Sequence, residues 1–407
     1  MEKIIKISDP PQALDRFLYF SVLFTVFTIP IYNSFTSVGL GLSILFFILK
    51  TLHDRKRPIF FIDLMFFAFL ILLALLSFIN TPDMAASFKY LKKFVLHFFL
   101  YLAVFQCATN RHYLIGIVFF LLASAAISSI DGLYQYFSGI DWFSSRPVME
   151  YPHLGIRRIT GPLHQAGSFG IFLGFVIPLA LSLFLSTKNN IVKYCSGFSV
   201  LIITCAIFLT FAPGAAGGLF ISLMILSILY KKPKPILIFI LILAAAWFFL
   251  PQALTQWPDG SLFTSIRGRA IMWGTSLHIF NEHPLIGSGV GSFAANYNIF
   301  CLPGAPHCGG ESPYAHNQYV HILVEYGISG FLFFFYCVSY LILKGWKLCS
   351  SAGHDGINKG LLIGLVASMA AYLTHGMFES SIYTYHGSLL FWTGLGLLRA
   401  GIIQNNT

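Results

Sequence analysis

The chain has 407 residues, of which 57% are hydrophobic and only 10% charged, and its formal net charge is +10. Apolar runs that repeatedly reach the roughly 20 residues needed to cross a bilayer exclude an ordinary soluble domain and predict a polytopic, all-α membrane protein. Apolar/polar alternation over strands of about 10 residues is absent, which excludes an outer-membrane barrel, and the basic excess is read through the positive-inside rule, so no nucleic-acid partner is expected.

The amino-terminal stretch MEKIIKISDPPQALDR is charged and carries Pro10 and Pro11, unlike a cleavable signal, so the apolar run from Phe17 is expected to remain as a span. Apolar runs between charged or turn-rich breaks predict about twelve helices in a single integral domain over 1–407. They are placed at 17–33, 36–51, 59–79, 90–108, 113–130, 163–185, 194–211, 215–230, 235–251, 316–343, 359–377 and 386–403. With both termini cytoplasmic, Lys50, Arg55, Lys56, Arg57, Arg111, Lys188, Lys193, Lys231, Lys232, Lys234, Lys344, Lys347, Lys359 and Arg399 fall on the cytoplasmic side. Lys89, Lys92, Lys93, Arg146, Arg157, Arg158, Arg267 and Arg269 fall on the opposite side. Basic residues are disfavoured in short translocated loops, so these arginines are candidates for binding an anion, with loop solvation or headgroup contact as the plainer alternative.

Two external segments are long enough to build something, 131–162 and 251–315. In the second, 269–280 is expected to form an amphipathic helix at the membrane interface, followed by the turn-rich HPLIGSGVGSF. GSGVGS at 287–292 follows no strand, so it reads as a turn rather than a nucleotide fingerprint. Cys301 and Cys308 bracket a Pro/Gly turn in CLPGAPHC on the side where oxidation is permitted, which predicts a local disulfide. A zinc site with His307 as third ligand lacks a fourth ligand at a customary spacing.

No DxD, HExxH, Walker lysine loop or GxSxG elbow is present, which removes the commonest metal-dependent transferase, protease, NTPase and hydrolase readings. What remains is polar and one-sided: Arg157 with Arg158, Arg267 with Arg269, and His316 with Asn317 in SPYAHNQYVHILVEYGISG. A histidine in the first turn of a helix feels the positive end of the macrodipole, which favours neutral imidazole and a nearby anion, so His316 is a candidate base. His321 and Glu325, spaced i, i+4, are expected to pair and hide each other from lipid. His375, Glu379 and His386 around the last external turn either line the cavity or cap helices.

AHNQYVHILVEYGISG resembles the signature of the O-antigen ligase and polymerase superfamily, in which a loop-end histidine precedes a helix with G-x-x-G; the positions here are His316, Asn317, Gly327 and Gly330. Arg269, Trp273, Pro284, Leu285, Gly287, Gly289 and Phe293 fit the family's long external loop. RRITGPLHQAGSFGIFL is similar to its R-x-x-G segment, with Gln165 where an asparagine is usual. One departure stands out: an arginine expected at the turn near Pro213 is missing, and Arg157, Arg158 or Arg267 are its possible replacements.

The resemblance implies a multi-pass enzyme of the bacterial inner membrane with its active site facing the periplasm. It implies a glycan carried on undecaprenyl pyrophosphate as donor and, foremost, the core oligosaccharide of lipid A as acceptor, in lipopolysaccharide biosynthesis. His316 would take the acceptor proton in an inverting displacement, and Arg269, helped by Arg267 or by Arg157 and Arg158, would neutralise the departing pyrophosphate. Asn317 and Tyr314 are further candidates for holding substrate, and Trp257, Trp273 and Tyr297 would either meet sugars or pack in the core. Membrane lipid would surround the polyprenyl tail, and the scheme requires no cofactor or metal. A polymerase of lipid-linked repeats and a protein O-oligosaccharyltransferase remain alternatives within the enzyme class, and a flippase or transporter of lipid-linked sugars outside it. Gly327 and Gly330 are expected to permit close helix packing.

Overall fold

The computed structural model describes residues 13–54, 60–151, 156–233, 236–237, 261–301, 305–310, 314–351 and 356–405. The first eight helices are α1 (Ala13–Thr28), α2 (Asn33–Asp54), α3 (Phe61–Ser77), α4 (Met84–Ala108), α5 (Arg111–Ser138), α6 (Ala166–Ser186), α7 (Asn190–Leu209) and α8 (Pro213–Tyr230). Five more follow: α9 (Ser261–Glu282), α10 (Phe293–Phe300), α11 (Gln318–Ser350), α12 (Ile357–His375) and α13 (Tyr385–Gln404). Between α5 and α6 a small antiparallel hairpin pairs Met149–Tyr151 with Ile156–Arg158.

Among the described residues, 9 helices are long and apolar enough to cross a membrane: α2 to α8, α11 and α12. Helix α1 has only 16 residues. Helix α13 is long enough but carries His386, Arg399 and several glycines, and it buries almost all of its length against other helices. A helix surrounded by protein rather than lipid has less need of uniform hydropathy. The span expected at 235–251 lies outside the described residues except for 236–237.

Polar contacts fix the two ends of the bundle. Lys50 near the end of α2 pairs with Asp15 at the start of α1 and with Asp54. The Gln404 amide at the end of α13 donates to the carbonyls of Ala108 and Thr109. The start of α1 and the end of α13 therefore share one end, and the antiparallel succession of spans gathers Lys188, Lys193, Lys231, Lys232, Lys344, Lys347 and Lys359 there. The opposite end holds His316, Arg269 and the hairpin.

At the centre, α12 packs between α6 and α8. A Cβ at Gly218 of α8 would lie 2.7 Å from the Ala371 carbonyl oxygen of α12, so only glycine permits that approach. Ser182 of α6 donates to the carbonyl of Gly360 on α12, which satisfies both groups inside the bundle.

Helix α11 is not continuous. At Gly327 the backbone turns to φ 66°, ψ −174°, a region open essentially only to glycine, and the helix resumes beyond it. The turn-rich 284–288 segment is stitched into the gap. Ser288 N donates to Val324 O at 2.9 Å, Ile328 N to Pro284 O at 2.8 Å, and Ser329 Oγ to Leu285 O at 2.7 Å. Asn80, just beyond α3, donates to Gly287 O at 2.9 Å. The break thus exposes no unpaired backbone at those positions, as a low-dielectric setting demands. Gly327 is the break itself rather than a small residue for helix packing, which corrects the expectation from sequence. GSGVGS is a turn, as expected, with Gly287, Gly289 and Gly291 all at positive φ. Helix α5 runs through Asp131 to Ser138, so the connecting segment starts later than expected, and α9 exceeds the 269–280 helix at both ends.

A Cβ at Gly327 would meet Leu285 O at 2.5 Å in addition to the forbidden dihedral, whereas one at Gly41 in α2 would meet nothing within 4 Å. Gly327→Ala is therefore expected to cost about 3 kcal/mol or more, against a change within about 1 kcal/mol for Gly41→Ala. Thermal unfolding of the two variants in detergent measures the difference.

Candidate active site

Three segments converge on His316. Asn317 is the N-cap of α11, its Oδ1 accepting from Tyr319 N at 2.9 Å and Val320 N at 3.2 Å. His316 thus precedes the cap, at φ 47°, rather than standing in the first helical turn as expected from sequence. The Trp273 indole N–H of α9 donates to the Ala315 carbonyl at 2.9 Å and holds the loop from one side. From the other, Gln318 N donates to Gly376 O and the Tyr319 hydroxyl to Leu373 O, both at 2.8 Å, which joins the start of α11 to the end of α12.

That junction brings Glu379, in the turn after α12, to His316. The imidazole Nδ1 lies 3.0 Å from Glu379 Oε2, and Arg269 Nη2 lies 3.8 Å from Glu379 Oε1. All three side chains are about one-third exposed or less. The first turn of α6 adjoins the carboxylate, since a Cβ at Gly167 would sit 3.5 Å from Oε1, so the positive end of that helix faces Glu379. Burial pushes the Glu379 carboxyl up. The His316 hydrogen bond and the charges of His316, His375 and Arg269 outweigh it and hold the group below its ordinary 4.5. An ionised carboxylate at Nδ1 selects the tautomer that donates there, which leaves Nε2 as the acceptor nitrogen.

Behind this trio lies a buried second pair. His321 Nε2 is 3.3 Å from Glu325 Oε1, which also accepts from Phe293 N at 3.1 Å. Its Nδ1 meets Ser380 Oγ at 3.2 Å, and its ring stacks on Tyr383 with centroids 3.7 Å apart. The pair is internal, as the i, i+4 spacing suggests, and through Ser380 it braces the residue next to Glu379. His375 is likewise buried, bonded through Nδ1 to Ser381. His386 lies within charge range of Lys93 and His164.

The other arginines divide. Arg157 donates to Glu150 and to the carbonyls of Tyr136 and Phe137, which closes the end of α5. Arg158 donates through Nε to Thr210 O at 2.9 Å, at the α7–α8 turn that leads into Pro213. Its guanidinium thus reaches the turn where the resemblance expects an arginine. Arg267 is exposed, and none of the described contacts joins it, Arg157 or Arg158 to His316. Tyr314 is 41% exposed beside His321, whereas Tyr297 is fully buried with its hydroxyl on Pro306 O. Trp273 and Tyr297 serve packing, and Trp257 lies outside the described residues. Cys301 and Cys308 form the expected disulfide.

Residues 198–335, which hold Arg267, Arg269, Trp273, His316 and the Gly327 break, match the O-antigen ligase family. That stretch is similar to O-antigen ligases. The chain is also similar to the teichuronic acid biosynthesis protein TuaE of Bacillus subtilis, 23% identical over 364 residues, covering 83% of this chain and 71% of TuaE. The two comparisons thus liken residues 198–335 to O-antigen ligases and a longer stretch of the chain to a teichuronic acid biosynthesis protein. Glu379 lies beyond the O-antigen ligase region, and the fold alone returns it to His316. A carboxylate 63 residues from its histidine carries no spacing signal; its position in an external turn was the only hint.

Because the folded Glu379 carboxyl lies below 4.5, its stabilising contribution is complete above that value and is lost as pH falls through the lower folded value. The stability difference between wild type and Glu379→Gln is expected to be constant near neutrality and to shrink as pH falls below 4.5. Unfolding of both proteins across that range measures it.

Proposed function

We propose that the protein transfers a glycan from undecaprenyl pyrophosphate to an acceptor hydroxyl on the periplasmic face of the inner membrane. The observation that carries this reading is the His316–Glu379–Arg269 cluster at the end of the bundle opposite the lysine-rich one. By the positive-inside rule the lysine-rich end is cytoplasmic, so the cluster faces the periplasm.

In this reading Glu379 orients His316, and Nε2 takes the proton of the acceptor hydroxyl as its oxygen attacks the anomeric carbon. The bond from that carbon to the pyrophosphate oxygen breaks on the opposite face, which inverts the configuration. Arg269 receives the charge that develops on the leaving pyrophosphate, aided by Arg267 and by Arg158 at the α7–α8 turn. Asn317 contributes through its cap, which fixes the start of α11 next to the histidine, and Tyr314, exposed beside His321, would meet the sugar. Because arginines supply the counter-charge, the reaction needs no divalent ion. The acceptor on the first reading is the core oligosaccharide of lipid A. Similarity to a teichuronic acid biosynthesis protein favours a second, in which the acceptor is another lipid-linked repeat unit and the protein is a polymerase.

Transfer from a defined lipid-linked glycan in proteoliposomes tests the reading. His316→Ala is expected to lower the rate by about 100-fold or more with the protein still folded, and Arg269→Lys by about tenfold or more because the bidentate fork is lost. Activity is expected to persist in EDTA. Near-normal turnover in His316→Ala contradicts the role of the histidine, and loss of activity in chelator contradicts the metal-independent scheme. Products of single attachment indicate ligation, and lengthening lipid-linked chains indicate polymerisation.

A further inference from the structure

A cavity of about 350 Å³ runs from the middle of the bundle toward its lysine-rich end between α3, α4, α11 and α13. Its inner wall is apolar, built from Phe67, Leu70, Phe98, Phe334 and Leu395. It opens sideways between α3 and α11, where Ile62, Phe66, Tyr336 and Tyr340 are 58, 38, 60 and 48% exposed. In a membrane that opening faces lipid.

The polar groups gather at one end. Asp63 accepts from the Tyr101 hydroxyl and lies 3.3 Å from Arg399, so its charge is matched within the protein. Lys344 lines the same cavity with its ammonium 5.8 Å over the Tyr340 ring, and it has no carboxylate partner among the described residues. Lys347 follows one turn later and is exposed. The rim therefore carries net positive charge.

The geometry points to a binding site for an anionic phospholipid of the leaflet at the lysine-rich end, with one acyl chain in the cavity and the phosphate at Lys344 and Lys347. The volume falls within the roughly 300–1,000 Å³ of ligand sites. Unmatched cations at the rim of a lipid-facing groove complement a phosphate and give a neutral lipid no comparable advantage. The pyrophosphate of the proposed donor belongs at Arg269, at the other end of the bundle, so the donor does not satisfy this rim. The inference does not depend on the transfer reaction, and its failure leaves that reading untouched.

Native mass spectrometry of the full chain in detergent, titrated with phosphatidylglycerol and phosphatidylcholine of identical chains, tests the site. Wild type is expected to retain one phosphatidylglycerol at least about fivefold more tightly than phosphatidylcholine, and Lys344→Glu to lose that preference. Cys337→Trp, which places an indole in the cavity lining, is expected to abolish retention of both lipids with an unchanged unfolding temperature. Equal retention of the two lipids by wild type, an unchanged preference in Lys344→Glu, or displacement of phosphatidylglycerol by an equal amount of undecaprenyl phosphate overturns the assignment.

Discussion

The break in α11 at Gly327 is the constraint on which the site depends. A helix interrupted inside a membrane bundle leaves backbone groups without intrahelical partners, and in hydrocarbon each would cost several kcal/mol. The 284–288 segment supplies partners, and in doing so it anchors the α9–α10 segment to α11. Just before the break, Glu325 receives Phe293 N and His321; His321 holds Ser380, and the residue beside Ser380 is Glu379, on His316. A local backbone event is thereby linked through packed polar groups to the orientation of one imidazole.

The arrangement separates two uses of histidine and carboxylate in one short region. Glu325 and His321 are fully buried and matched to each other, which suits a brace that must not move. Glu379 and His316 are partly exposed, share the carboxylate with Arg269 and adjoin the start of α6, which suits a group that must meet substrate and change its protonation. The lysine-rich end repeats the first pattern with Asp63, Tyr101 and Arg399.

Much of this was legible in the sequence, for identifiable reasons. Long apolar runs gave the spans because length and hydropathy are local properties, and His316, Arg269 and the His321–Glu325 pair stood out because polar residues are costly in such a setting. The break at Gly327 was hidden because G-x-x-G also describes tight helix packing, and only the φ angle tells them apart. The start of α11 was misplaced by two residues because Asn317 is the helix cap, which places His316 before the helix rather than in its first turn. Glu379 drew notice only as a residue of the last external turn, since its partnership arises from tertiary contact between the ends of α11 and α12. Arg157 and Arg158 look equivalent as neighbours, yet the hairpin sends one to the end of α5 and the other to the end of α7.

The central claim is that Glu379 acts through His316. A double-mutant cycle on the rate of glycan transfer, with His316→Ala, Glu379→Gln and the pair, tests it directly, because residues that act as a unit are not additive. The account predicts that Glu379→Gln slows the wild type substantially but adds nothing once His316 is alanine. A double variant slower than His316→Ala by the full factor seen for Glu379→Gln alone contradicts it.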